Sequence, residues 1–136
     1  MSESRVTIPE MAMGQALCSV SALVFDVPDE KGPASNEQIY LHLNETTISI
    51  RALNDTSELS VGTNAPSIPD DPEFAGCYSI ADISQHELIN PFIGETIRSW
   101  WSLKNEFGYN DGFMIAFSAH DAICFVAMNN EVSILH

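Results

Sequence analysis

Four histidines (His42, His86, His120, His136) and three cysteines (Cys18, Cys77, Cys124) are the side chains best suited to proton transfer, nucleophilic attack or metal ligation. Their spacing assembles none of these chemistries. The cysteines are far apart, odd in number and without a C-x-x-C pair, so neither a disulfide framework nor a zinc site is spelled out. Cys124 lies in the apolar run Ile123-Cys124-Phe125-Val126-Ala127, where a thiol packs as a small hydrophobe. His120-Asp121 is the one adjacency that a metal or acid–base site could use, and a solvated hairpin turn is by far the commoner setting for such a pair. His136 is the last residue, where fraying works against fixed ligand geometry. His42 is out of phase with Ile39, Leu41 and Leu43, which places it on the less buried face of a strand. The nucleophile-elbow, zinc-protease, phosphate-loop and dinucleotide motifs are missing. No catalytic, cofactor-binding or metal-ligating residue is therefore expected, and the chain reads as non-enzymatic.

Two further groups stand out. Asp29-Glu30 and Asp70-Asp71 with Glu73 are the densest acids. Calcium or glycoside chemistry needs carboxylates at fixed separation, and a proline-rich loop without the calcium-loop pattern supplies no such frame. Solvated loops, or negative charge offered to a basic protein, are the readings left. Trp100-Trp101 is the second group. Neighbours on a strand face opposite sides, so one ring enters the core and the other is covered or serves as an interface anchor.

The whole chain has 136 residues, 45% of them apolar and 18% charged, which suits one globular domain over 1–136. Five Lys+Arg against nineteen Asp+Glu give a formal charge of −14. That balance argues against nucleic acid or an anionic membrane as partner, because both attract cations. The absence of a signal-like N-terminus and of an apolar run of membrane-spanning length, with the cysteine usage, points to a cytoplasmic setting.

The elements that must carry these residues are mostly strands. Ile39–Leu43 and Thr47–Leu53 alternate with period 2 around the turn Asn44-Glu45-Thr46, and Asn54–Ser57 leads into Glu58–Val61. A strand over Val20–Val27 precedes them. The C-terminal half repeats the scheme: Phe113–Phe117 lies over Ile39–Leu43, Ile123–Asn129 over Ile48–Asn54, and Glu131–Ile134 over Glu58–Val61. Gly94–Trp100 likewise echoes Gly14–Val20. The reading is α+β, mainly β. It has two antiparallel four-stranded meander units, 14–61 and 92–136, which are either a duplication or two meanders alike only in outline. The connection 62–91 carries a proline-rich acidic loop and, at Ser84-Gln85-His86-Glu87, a capping-box pattern predicting one short helix over 85–90, stopped by Asn90-Pro91. Asn105–Gly112 reads as a hairpin loop. The expected core is Leu41, Leu43, Ile48, Ile50, Ile115, Phe117, Ile123 and Phe125.

The runs Phe92–Ile97, Trp101–Asn105 and Gly108–Phe113 resemble the C-terminal part of a family of small bacterial proteins of unknown function. Its signature is an Ile/Leu-Gly step followed by Trp-x-Leu/Met-x-Asn-x-x-Gly-Tyr-x-Asp. The likeness is clearest over 92–135 and looser over 17–61. Members are similar in size, acidity and solitary layout to the immunity proteins of bacterial polymorphic-toxin systems. The family carries no established catalytic residues, so the resemblance implies no site.

Three functional readings stand open. The first is a non-enzymatic acidic binding domain, an immunity-type inhibitor of a basic toxin or nuclease, with Asp29, Glu30, Asp70, Asp71 and Glu73 steering the partner and Trp100 or Trp101 anchoring it. The second is a small-ligand binder or enzyme with a pocket between the two sheet units. The third is a structural module that forms homo-oligomers through a strand edge.

Overall fold

Period-2 alternation becomes nine strands in a computed structural model that describes residues 12–26, 35–53, 58–70, 72–74, 76–104, 106, 110–117, 121–128 and 131–135. They are β1 (Leu17–Phe25), β2 (Ser35–Leu43), β3 (Thr47–Ala52), β4 (Leu59–Gly62), β5 (Tyr78–Asp82), β6 (Ile97–Lys104), β7 (Asn110–Phe117), β8 (Ala122–Met128) and β9 (Glu131–Leu135). Every pairing is antiparallel, in a five-stranded sheet of order β4-β3-β2-β1-β5 and a four-stranded sheet of order β6-β7-β8-β9. The architecture is thus mainly β with two sheets. No helix among the described residues is long and apolar enough to cross a membrane.

The pleat sends alternate residues to opposite faces, and the register lines them up in rows. On the inner face of the first sheet, Ala22, Ile39, Ile50 and Val61 stand side by side, next to Val20, Leu41 and Ile48. On that of the second, Phe113, Phe125 and Ile134 form one row and Trp100, Ile115 and Ile123 the next. β9 packs on β2 and β3, and β4 on β7, so both inner faces join one apolar core. All eight expected core residues are buried in it.

Three expectations need correction. The connection 62–91 is not outside the sheets: Tyr78–Asp82 pairs with β1 as a fifth strand. It is a mostly exposed edge strand of five residues, too short and too wet to print an apolar alternation. The helix over 85–90 does not form. Ser84 Oγ accepts the Val20 N–H at 2.9 Å and lies 3.4 Å from Val20 O, while Asp82 Oδ1 takes the Ser84 N–H at 2.8 Å. Both groups a capping box would use are therefore committed to β1 and β5. Turns follow, in which His86 O accepts the N–H groups of Ile89 and Asn90, leading to a 3-10 turn at Asn90–Phe92. Ile89 and Phe92 are buried in the core by this route. Finally, β1 begins earlier than Val20, at Leu17, and β7 starts at Asn110, inside the expected loop. The expected turn at Asn54–Ser57 lies outside the described residues, as does all but Asp121 of the turn expected at Ser118–Asp121.

The two sheets are stitched by a symmetric joint. Gly14 N–H donates to Ile97 O at 3.0 Å, and Gly94 N–H to Leu17 O at 2.7 Å. Leu17 N–H meets Glu95 O, and Ile97 N–H meets Gln15 O, around an Ala16–Thr96 bridge. Each bond has a counterpart eighty residues away, and β1 and β6 both carry an irregularity just after it, at Leu17/Ser19 and Ile97/Ser99. Gly14 and Gly94 sit at φ +85° and +91°, which L side chains rarely adopt. Space is open around both Cβ positions, so a substitution there meets backbone strain alone. Gly94→Ala is expected to cost about 1–2 kcal/mol in denaturant unfolding. Gly94→Asn should cost less, because Asn tolerates the left-handed region. Equal losses for the two variants would refute the conformational origin.

Candidate functional site

The outer faces of the two sheets are chemically opposed, although their residues occupy corresponding positions. Across the first sheet one row runs Asp82, Ser21, Tyr40, Ser49, Gly62. Across the second the corresponding row runs Trp101, Met114, Cys124, Leu135. The first row is polar, the second apolar.

The polar face is internally bonded. Ser21 Oγ and His42 Nε2 are 2.7 Å apart, and His42 Nδ1 and Thr47 Oγ1 are 3.3 Å apart. This has the outline of a nucleophile beside a base, with a hydroxyl where a triad has a carboxylate. The nearby Asp82 carboxylate is engaged by Ser84, whose side chain and backbone hydrogen bonds, with a smaller contribution from His42, hold it below its ordinary value of 3.8. Farther along, the segment after β4 roofs the sheet. Asn64 approaches Ser49 Oγ through its N–H at 3.4 Å and Nδ2 at 3.5 Å. Tyr40 Oη donates to Gln38 Oε1 at 3.0 Å and accepts the Ser67 N–H; burial outweighs that bond and raises the phenol. Under the roof is a cavity of about 450 Å³.

The apolar face is open. Trp101 is 48% exposed and Leu135 46%. Trp101, Leu103, Met114 and Ala116 line a groove of about 720 Å³, with Arg98 and Asp121 among its polar members. Leu103 of its lining packs closely on the neighbouring strand, where a Cβ on Gly112 would come within 3.0 Å of Leu103 Cδ1. Cys124 lies in the same row, and burial, then the Asp111 carboxylate, raises its thiol pKa, making it a weak nucleophile.

The family model for a family of unknown function, DUF6334, matches residues 1–136. The chain belongs to that family. No curated protein and no solved structure matches it. In this DUF6334 chain the expected site residues are scattered. Trp100 turns inward, its ring 6.1 Å from that of Phe113, and Trp101 turns outward. Asp70 and Glu73 are exposed, whereas Asp29, Glu30 and Asp71 lie outside the described residues, as do His120 and His136. Among the described residues no three of His, Cys, Asp and Glu gather as a metal site. Sequence reasoning passed over the Ser21–His42–Thr47 chain and the cavity beside Arg51. Their members are up to 29 residues apart between Gln38 and Ser67, and meet only through strand register.

Proposed function

We propose that this domain is a non-enzymatic protein-binding module that docks a basic partner on the open face of the second sheet, as an immunity-type inhibitor of a toxin or nuclease. The observation that carries the reading is the groove beside the half-exposed Trp101, in a chain whose formal charge is −14. Exposed Trp in a groove has the form of an interface anchor. The charge selects the occupant. Two copies of this chain repel, whereas a protein that handles a phosphate backbone must carry the basic surface that an acidic chain attracts.

The likeness of the two halves supports duplication of a four-stranded unit, with divergence concentrated on the outer faces. One copy then keeps a polar face under a roof, and the other presents an apolar face for docking.

The test is capture from lysate followed by kinetics on the purified partner. A basic protein should bind, and neutralising Asp29, Glu30, Asp70, Asp71 and Glu73 together should slow association and flatten its salt dependence. High salt should mimic those changes, because charges separated by more than about 8 Å are screened at physiological ionic strength. Trp101→Ala should instead speed dissociation, the usual effect of losing an anchor. A partner whose binding ignores salt, the five carboxylates and Trp101 would sink the proposal.

A further inference from the structure

We infer that the roofed cavity on the first sheet is a binding site for a small oxyanion-bearing molecule, held by Arg51. This face lies away from the Trp101 groove, and the inference does not depend on the docking proposal.

The first observation is charge. The chain has only five Lys+Arg, and Arg51 is one of three among the described residues. It stands on β3, between Gln38 of β2 and Ser60 of β4, and lines the cavity with Ser49, Asn64 and Ser67. None of the described lining residues is acidic, although the chain has nineteen Asp+Glu. Among the described residues the Arg51 guanidinium has no carboxylate partner.

The second observation is the direction of the hydrogen bonds. Ser49 is 4% exposed, and its Oγ is approached by both nitrogen donors of Asn64. Gln38 Oε1 is taken by Tyr40, and Tyr40 Oη receives the Ser67 N–H. These acceptor atoms are used within the wall. Donors are left for a guest, namely the Ser49 hydroxyl proton, the Gln38 amide N–H groups and the guanidinium fork, beside the Ser60 and Ser67 hydroxyls, which give or accept, and the Asn64 carbonyl oxygen, which accepts. A lining of spare donors around one cation fits an acceptor-rich anion, and the planar fork suits the paired oxygens of a carboxylate or phosphate. The volume of about 450 Å³ lies in the range of small-molecule sites. The close approach at Gly62 belongs to the same construction. A Cβ there would stand 3.2 Å from Asn64 Nδ2 and 3.4 Å from Ser49 Oγ, so glycine spares the Asn64 amide a shift of a few tenths of an ångström.

Inorganic phosphate and acetate are the probes, each titrated at constant ionic strength into the full chain labelled with nitrogen-15. Saturable shifts of the Ser49, Arg51, Asn64 and Ser67 amides at millimolar concentration are expected. Arg51→Gln should weaken binding about tenfold or more, as loss of a charge-assisted fork does. Arg51→Lys should recover part of it, and Lys104→Gln, at an exposed cation outside the cavity, should leave it unchanged. Tighter binding of phosphate assigns a phosphate-bearing ligand, and tighter binding of acetate assigns a carboxylate. Arg51 is exposed, so its variants should melt with the wild type. If Arg51→Gln does not fold, Ser49→Ala, which removes a donor from the wall and leaves the arginine, should weaken the same shifts. No saturable shift with either anion, or undiminished binding by folded Arg51→Gln, would overturn the inference.

Discussion

Phe125→Ala is expected to cost about 3–5 kcal/mol and Ile50→Ala about 2–5 kcal/mol, each by lost burial plus the cavity left behind. Phe125 stands on β8 between Phe113 of β7 and Ile134 of β9, and Ile50 stands on β3 between Ile39 and Val61. Neither side chain reaches solvent. The rigid register around them prevents neighbours from collapsing into the gap, which places both toward the upper part of their ranges. Because the two inner faces share one core, a cavity in either sheet weakens both. Denaturant unfolding should therefore show one transition, with a lowered midpoint and an unchanged slope. Melts identical to the wild type would refute the core assignment.

The inner faces were legible because each depends on a local rule. Alternation over five to seven residues assigns a side chain to a face before any strand partner is known, and Ile39–Leu43 and Ile123–Ala127 both behave this way. The offsets between the halves were also readable. Ile50 faces Val61 as Phe125 faces Ile134, and Ala52 faces Leu59 as Ala127 faces Val132. The capping box failed for the opposite reason. Ser84 meets every local requirement for a helix start, yet a partner 64 residues away, Val20, takes its hydroxyl. Tertiary bonding outweighs propensity over so short a segment. The outer faces were the least readable. Ser21, Tyr40 and Ser49 form one row only because three strands settle in one register, and a lone Arg51 between polar residues announces nothing. The tryptophan doublet was readable in part: opposition of the two rings follows from the pleat, but which ring faces out depends on the irregularity at Ile97/Ser99.

The doublet allows stability and binding to be separated within two adjacent residues. Trp100→Ala is expected to cost about 2–4 kcal/mol, less than a fully buried tryptophan, because its ring packs beside Phe113 while remaining half-buried. Trp101→Ala is expected to cost about 1 kcal/mol or less, since its ring is 48% exposed over Met114 and Leu103. The order reverses for the proposed partner. An anchor of this kind contributes about 2 kcal/mol or more to an interface, so Trp101→Ala should shorten the complex lifetime roughly thirtyfold while the folded domain stays intact. Folded Trp100→Ala, compared well below its melting point, should bind with nearly the wild-type lifetime. Equal stability losses at the two positions would place both rings in the core. A folded Trp101→Ala domain with an undiminished complex lifetime would leave the open face without a role in docking.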